Sequence, residues 1–351
     1  MLLGRNVCVG GGVTQWMEAT ALWEGPDAHA EYLRRCRQDA CDVARAAHCD
    51  IIRPSYWRMD QKPTKRINER TFLYGDPEGD FEVRRFDPET ELYQVIDQRD
   101  STAPETLDDL ERLVQESEKA LDTYGPRPED FSDAFEAQTR LGPDYAVRLD
   151  AGYGLCIPNR EPLWMEAVAA RPDLVSRLLE CQCRSSMRAI EALKDSPFRY
   201  LFGGGDFCCK HGPMYSPAAF RAMLAPRLRR MSALAHRYGK YTAFASDGNL
   251  WPVADDLFGA TGTDAFYEID RLAGMDLRKL RERFPHLTLI GNISVITLHR
   301  GTREQVIAQC RDCAETALEL GSIIVGASNL IVPGTPPENI IAMVETLEKY
   351  H

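Results

Sequence analysis

The sequence has no long apolar run and is short of positive charge. No stretch approaches the ~18–20 apolar residues that cross a bilayer, and the N-terminal MLLGRNVCVGGGVTQ is too short and too glycine-rich for a signal peptide. Acidic residues outnumber basic ones by 53 to 42, which gives a formal charge of −11 and a surface that repels a nucleic-acid backbone. We therefore expect a cytoplasmic protein with no membrane or nucleic-acid partner.

The sequence also lacks a convincing disulfide framework, although it contains 11 cysteines. In a cytoplasmic chain most of them are expected to be reduced thiols. Cys310-x-x-Cys313 has the spacing of a metal or redox pair, but its place on the apolar stripe of a predicted helix favours buried packing. The same interpretation applies to the other cysteines predicted in helices, Cys36, Cys41, Cys181 and Cys183.

What the sequence does have is a regular alternation of short β-like runs and amphipathic helices. Eight strands are predicted, at residues 6–9, 50–54, 145–149, 200–204, 241–245, 265–269, 287–290 and 323–326. Ser216 is predicted as a helix N-cap, and Thr302 and Thr335 as the first residues of capping boxes. This order predicts an α/β protein with a parallel sheet, built as a (β/α)8 TIM barrel, for which 351 residues leave room for insertions.

Two segments in the N-terminal half do not fit the alternation. Residues 71–86 read TFLYGDPEGDFEVRRF, two alternating runs joined by a turn sequence, which predicts an inserted β-hairpin. Residues 100–143 are charged and mostly helical and are predicted to decorate the barrel. We therefore predict one domain over residues 1–351, with an inserted β-hairpin and extra helices in its N-terminal half.

Polar residues concentrate at the strand ends, where the βα loops of a barrel build the active site. Asp206 and Asp247 are the candidate catalytic carboxylates. The candidate substrate-binding residues are Ser246, Asn249, Tyr267, Asn292, Ser328 and Asn329. The candidate metal ligands are Asp247, Glu268 and Cys208, the last because it follows a strand beside Asp206 and His211. The alternative is that the aspartates cap loops and that the asparagines occupy left-handed backbone positions.

Five linked motifs, in order, resemble the uroporphyrinogen decarboxylase superfamily: GGGDFCCKHGPMYSPAAF, HRYGKYTAFASDGN, AGMDLRKL, LIGNISV and PGTPPENIIAMVE. The resemblance is to the branch that contains corrinoid-linked methyltransferases, and it covers residues 200–350 well and the first 150 residues loosely. It implies the (β/α)8 fold, places Asp206 and Asp247 at the barrel mouth, and suggests a homodimer.

Two patterns of that superfamily are missing. Porphyrinogen decarboxylases carry an arginine-rich N-terminal segment that binds substrate carboxylates, whereas residues 10–14 here read GGGVT, and Arg53 alone does not replace it. The zinc methyltransferases carry His-x-Cys after the fifth strand and a cysteine after the eighth, whereas residues 245–247 read ASD and residues 327–329 read ASN. Zinc or another divalent metal would have to be held differently, by Asp247 with Asp206, Cys208 or Glu268.

Three functions therefore remain open. The favoured one is a methyltransferase that moves a methyl group from a small methylated substrate, such as an ether or amine, to a corrinoid on a separate partner protein. The second is a decarboxylase or other lyase of the same superfamily, acting on a non-porphyrin or porphyrin substrate, that uses Asp206 or Asp247 on a carbanion-like centre. The third is a non-catalytic binder of small molecules.

Overall fold

The computed structural model describes residues 12–53, 58–150, 152–159, 161–332 and 334–350. Its strands are β1 (Ile51–Ile52), β2 (Lys65–Asn68), β3 (Thr71–Gly75), β4 (Phe81–Asp87), β5 (Leu92–Arg99), β6 (Ala146–Asp150), β7 (Tyr200–Gly204), β8 (Cys208–Cys209), β9 (Gly212–Pro213), β10 (Tyr241–Ala245), β11 (Ala265–Tyr267), β12 (Thr288–Ile293) and β13 (Ile323–Ala327). Its helices are α1 (Gly12–Glu24), α2 (Pro26–Ala46), α3 (Leu107–Thr123), α4 (Ser132–Leu141), α5 (Pro162–Ala170), α6 (Pro172–Ala192), α7 (Pro217–Ala219), α8 (Ala225–Arg237), α9 (Leu277–Arg283), α10 (Val295–Arg300), α11 (Arg303–Leu320) and α12 (Pro337–Leu347).

Seven parallel strands of the described residues form one sheet in the order β1-β6-β7-β10-β11-β12-β13. Successive strand residues point to opposite faces, and both faces are buried. Leu201, Phe244 and Leu289 face the helices within the main core, whereas Phe202 and Ile290 belong to a separate inner cluster. The predicted α/β fold with a curled parallel sheet of the barrel type is confirmed. The eighth predicted strand, residues 6–9, lies outside the described residues.

The predicted strand positions agree closely with the structure. Residues 200–204 and 241–245 coincide with β7 and β10. The prediction for β11 is two residues too long, because Glu268 has a φ of 67° and leaves the extended conformation. The second predicted strand, 50–54, is represented by β1, and its last residue, Pro54, lies outside the described residues.

A second, antiparallel sheet contains β2, β3, β4 and β5 in sequence order. Residues 71–86, for which a hairpin insertion is predicted, form β3 and most of β4 in this larger sheet. Trp16 of α1 stacks on Phe86 with 4.3 Å between ring centroids, and α1 also supplies the fully buried Glu18. Glu18 accepts hydrogen bonds from Arg58 and from the backbone of Met59. Aromatic stacking and a buried ion pair thus hold the sheet segment to α1.

Residues 100–143, predicted to decorate the barrel, contain α3 and α4. These helices lie between β1 and β6, which pair in parallel, so they form part of that crossover connection. Salt bridges from Arg171 to Glu111 at 3.2 Å and from Arg177 to Glu118 at 2.7 Å connect α3 with the start of α6.

The helix-start predictions have mixed outcomes. Ser216 accepts a hydrogen bond from the Ala219 amide, and Thr302 forms the predicted capping box with Gln305. The capping box predicted at Thr335 is wrong, because the Thr335 hydroxyl donates to the Val332 carbonyl and Pro336 occupies the N-cap. Cys310 and Cys313 are buried in α11, as predicted. No helix in the described ranges is long and apolar enough to cross a membrane.

Candidate functional site at the strand ends

Three carboxylates from neighbouring strands meet at one end of the parallel sheet. Asp206 follows β7, Asp247 follows β10 and Glu268 follows β11. Because these strands are adjacent in the sheet, their carboxyl ends lie side by side, and the three side chains place one carboxylate oxygen each within 4.8 Å of the others. We call Asp206, Asp247 and Glu268 the acidic triad.

Burial and like charge shift the pKa values within the acidic triad. Burial is the largest cause that raises the pKa of Asp247, a hydrogen bond from Asn329 opposes it, and the charges of Asp206 and Asp270 add to it. Burial also raises the pKa of Glu268 to about 8, with the charges of Asp247 and Asp206 in the same direction. Three ionised carboxylates at this separation repel each other strongly. The triad is therefore suited to hold a proton or a cation.

The loops that carry the two aspartates depend on close backbone approach. A Cβ at Gly205, next to Asp206, would lie 2.1 Å from the carbonyl oxygen of Leu155. Gly248, next to Asp247, has a φ of 88°, and a Cβ there would lie 2.7 Å from the carbonyl oxygen of Cys209. Glycine is the residue that tolerates both conditions. These two positions fix where the strand-end turns place the carboxylates.

The loop that carries Glu268 is held from the next strand. Asn292 is buried in β12, has a φ of 93°, and donates from its side-chain amide to the carbonyls of Ile269 and Met275 at 3.2 and 3.3 Å. Glu268 itself has positive φ, a conformation that persists only where the surroundings impose it. Asn292, a predicted substrate-binding residue, is placed to support this loop.

Asn329 directly contacts the acidic triad. Its side-chain amide donates to the Asp247 carboxylate at 2.6 Å, and its side-chain oxygen accepts from the Leu330 amide at 2.6 Å. Because both ends of the Asn329 amide are engaged, the Asp247 carboxylate is held in a defined orientation.

The other predicted site residues are more varied. Ser246 is fully buried beside Asp247, and its hydroxyl donates to the Asp247 carbonyl at 3.2 Å. Asn249 accepts from the Trp251 amide at 3.1 Å and so begins a short turn. Cys208 is in the main core, where burial raises the pKa of its thiol to about 12, and it lies outside the triad.

A cavity of about 530 Å³ opens beside Asp247. Ser328 and Asn329 line it together with Cys208, Cys209 and Asp270. Exposed apolar side chains stand at the same cavity, namely Leu272, Ile296 and Val332. The cavity therefore offers a mainly apolar wall with polar groups concentrated next to one member of the triad.

Two charged residues on β6, Arg148 and Asp150, were not identified from the sequence. Arg148 lies over the rings of Phe202 and Tyr267, at 4.8 and 5.3 Å from their centroids, and forms a salt bridge with Asp150 at 3.0 Å. Arg53 also contacts Asp150, at 2.6 Å. The alternation of apolar and charged residues in β6 could have identified them. Its apolar residues at 147 and 149 are buried against the helices, so the charged residues between and after them face the inside.

Comparisons with known proteins agree with this architecture. Residues 163–350 match the model of the uroporphyrinogen decarboxylase (URO-D) family. Among solved structures, a methyltransferase from Methanosarcina mazei aligns with a TM-score of 0.61 and 17% identity over 99% of this chain and 94% of its own. A sugar phosphate isomerase/epimerase from Parabacteroides distasonis aligns with a TM-score of 0.33 and 9% identity, over 64% of this chain and 77% of its own.

No curated protein sequence matches the chain significantly. The second structural likeness is too low to carry an argument, and the first, at 17% identity, shows the fold alone. The family match is more specific, because it extends over more than half of the chain and contains β7, β10 and β11 with the triad at their ends. The chain belongs to the uroporphyrinogen decarboxylase family.

Proposed function

We propose that this protein is a methyltransferase that removes a methyl group from oxygen or nitrogen of a small substrate and passes it to a corrinoid on a separate protein. The observation that carries the proposal is the acidic triad, whose member Asp247 lines an open cavity, with a Glu268 pKa of about 8. The fold shared with a methyltransferase supports it at the level of architecture.

Breaking the methyl–heteroatom bond requires stabilisation of the negative charge that develops on the leaving heteroatom. When a methyl–oxygen or methyl–nitrogen bond breaks, its electron pair stays on the heteroatom, while the acceptor supplies the pair that bonds the methyl carbon. The heteroatom then needs a proton or a cation. A carboxylic acid with a pKa of about 8 keeps its proton at neutral pH and is matched to general acid catalysis near that pH. Glu268 is therefore the proposed proton donor, with Asp247 and Asn329 orienting the substrate beside it.

A divalent cation is the other way to activate the same heteroatom. The triad supplies three carboxylates, which suit oxygen-preferring ions such as Mg²⁺ or Mn²⁺ and are also acceptable to zinc. Asp247 and Asn329 follow β10 and β13, at the places where zinc methyltransferases of the superfamily carry thiol and imidazole ligands. A zinc site of that usual type therefore does not fit these residues. Asp206, Asp247 and Glu268 would hold the ion, which would act as a Lewis acid when bound.

A decarboxylase is the second candidate, and a specific observation favours it. Arg148 and Arg53 lie near enough to Glu268 for their positive charges to act on its carboxylate. They partly oppose the rise in the Glu268 pKa that burial causes. Such cations could bind a substrate carboxylate, and Glu268 could protonate the carbanion that remains after carbon dioxide leaves. This reaction would keep the methyl groups of the substrate in place.

The experiment supplies reduced cob(I)alamin and a panel of methyl ethers and methylamines, and follows methylcobalamin by its absorbance. We expect methyl transfer from at least one donor, reduced about 100-fold or more in Glu268→Gln, the size typical of a lost general acid. Glu282→Gln, on the exposed surface of α9, is the matched control and is expected to retain activity. No transfer from any donor, also with an intact corrinoid protein present, contradicts the proposal. Carbon dioxide release with retained methyl groups favours the decarboxylase.

A further inference from the structure

We infer that Arg148, together with Arg53, forms a binding site inside the barrel for a carboxylate of the substrate, so that the substrate is a small methylated carboxylic acid. This inference rests on the proposed function, because it names the substrate class of the same site.

The first argument is the position of Arg148. Its guanidinium lies over two aromatic rings that contact each other edge to face, those of Phe202 and Tyr267. Tyr267 immediately precedes Glu268 and ends β11. Because Arg148 reaches the ring of Tyr267 from β6, it stands across the inner space from the strand end that carries Glu268. A ligand bound to Arg148 would therefore extend toward the acidic triad.

The second argument is the incomplete hydrogen bonding of Arg148. A guanidinium has five N–H donors, and here Asp150 accepts from it and Tyr267 interacts with it. The Nε–H of Arg148 is buried with no acceptor among the described residues. A buried donor without a partner destabilises the protein. A bound carboxylate oxygen is the acceptor that matches the planar fork of a guanidinium best.

The third argument is the local balance of charge. Asp150 contacts the guanidiniums of both Arg53 and Arg148, so its negative charge is divided between them. Asp206 and Asp247 lie beside Glu268, within the triad. The single unpartnered Nε–H of Arg148 fits a monoanionic carboxylate better than a phosphate dianion. The negative triad would repel that carboxylate and orient the opposite, methylated end of the substrate toward Glu268.

The fourth argument is access. The side chains of Arg148, Arg53 and Asp150 keep 13%, 21% and 35% of their surface exposed. Across the sheet, a Cβ at Gly326 would meet nothing within 4 Å, and all five residues of β13 are only half-buried. The arginines and Asp150 are therefore in contact with solvent, from which a small ligand can approach them.

The test measures binding of matched probes by calorimetry: acetate, methoxyacetate and 2-methoxybenzoate, each against its uncharged amide. We expect at least one carboxylate to bind more tightly than its amide, and Arg148→Met to weaken that binding about 10- to 100-fold, as for a lost hydrogen bond between charged groups. Arg148→Lys, which keeps the positive charge but not the planar guanidinium, is expected to bind the carboxylate with an affinity between those of the wild type and Arg148→Met. Arg199→Met is the control, since Arg199 also lies over a ring, that of Tyr241, near the opposite end of the strands.

Equal binding of carboxylates and amides, no binding of any probe, or an unchanged affinity in folded Arg148→Met or Arg148→Lys overturns the inference. Urea unfolding of each variant shows whether it is folded. The outcome is separable from that of the proposed function. Methyl transfer from neutral donors without carboxylate binding defeats the inference alone, whereas Arg148-dependent carboxylate binding without any methyl transfer defeats the function alone.

Discussion

At the scale of single residues, the unusual feature is a glutamate that favours its neutral form. Glu268 is half-buried and lies beside Asp247 and Asp206. Its folded-state pKa of about 8 lies above the ordinary value of 4.5, so the folded protein binds this proton more tightly than the unfolded chain does. The stabilisation from the proton is complete below about pH 4.5 and is lost as pH rises through 8.

Replacement of Glu268 by glutamine should therefore flatten the dependence of stability on pH. In metal-free protein, we expect the wild type to lose on the order of a few kcal/mol of unfolding free energy between pH 5 and 9, since each pKa unit corresponds to ~1.4 kcal/mol. Glu268→Gln should lose much less and should exceed the wild type at pH 9. Urea unfolding across this range measures it, with Glu282→Gln as control. Parallel curves for wild type and Glu268→Gln would show that Glu268 ionises normally.

Sequence reasoning reached part of this site and missed part of it for identifiable reasons. Asp206 and Asp247 follow clear strand patterns, and Glu268 was visible at the end of a third, so the rule for barrel strand ends located all three. Arg148 was missed because attention went to residues after each strand, while Arg148 lies inside one. The hydrogen bond between Asn329 and Asp247 joins residues 82 positions apart, a pairing that no local pattern encodes.

At the scale of elements, the antiparallel sheet is held to the rest of the molecule through α1. Glu18 is fully buried and contacts Arg58 at 2.7 Å and the Nε2 of His29 at 3.0 Å. Burial opposes ionisation of Glu18, but these hydrogen bonds outweigh it and lower its pKa. The carboxylate therefore joins α1, α2 and the chain that leads into β2.

Glu18→Gln should loosen this junction. It leaves the Arg58 guanidinium, which is 34% exposed, beside a neutral amide, so we expect a loss of about 1.5–3 kcal/mol, as for a hydrogen bond between charged groups, below that of a fully buried pair. Urea unfolding of Glu18→Gln at pH 7 measures the loss, and Glu24→Gln at the exposed end of α1 is the matched control. A loss in Glu18→Gln no larger than in Glu24→Gln would show that stacking of Trp16 on Phe86 is sufficient to hold the sheet.

The helix starts show where local sequence decides structure and where it does not. Thr302 and Gln305 satisfy each other's backbone groups without help from the rest of the chain, so the pattern predicted the cap correctly. Thr335 has the same kind of spacing to Glu338, but its hydroxyl donates back to Val332 and a proline takes the N-cap. A competing local hydrogen bond thus defeated the motif.

At the scale of the whole molecule, the parallel sheet brings distant parts of the chain to one place. The triad spans residues 206 to 268, the arginines come from residues 53 and 148, and Asn329 comes from the last described strand end. Strand alternation predicted this convergence, because parallel strands in a barrel end on the same side. The substrate and the order of events at the site depend on side-chain distances, which alternation does not specify.

The central claim is that Asp206, Asp247 and Glu268 act as one functional site, and metal analysis of the purified protein tests it most directly. The protein is incubated with excess Mg²⁺, Mn²⁺ or Zn²⁺, freed of unbound ion at pH 8.5 and analysed by mass spectrometry. We expect one ion per chain, lost in Asp247→Ala, and an affinity about 10- to 100-fold lower in Asn329→Ala, the usual effect of removing a group that orients a ligand. An ion retained in full by Asp247→Ala, or a metal-free protein whose activity is unaffected in Glu268→Gln, would contradict the account.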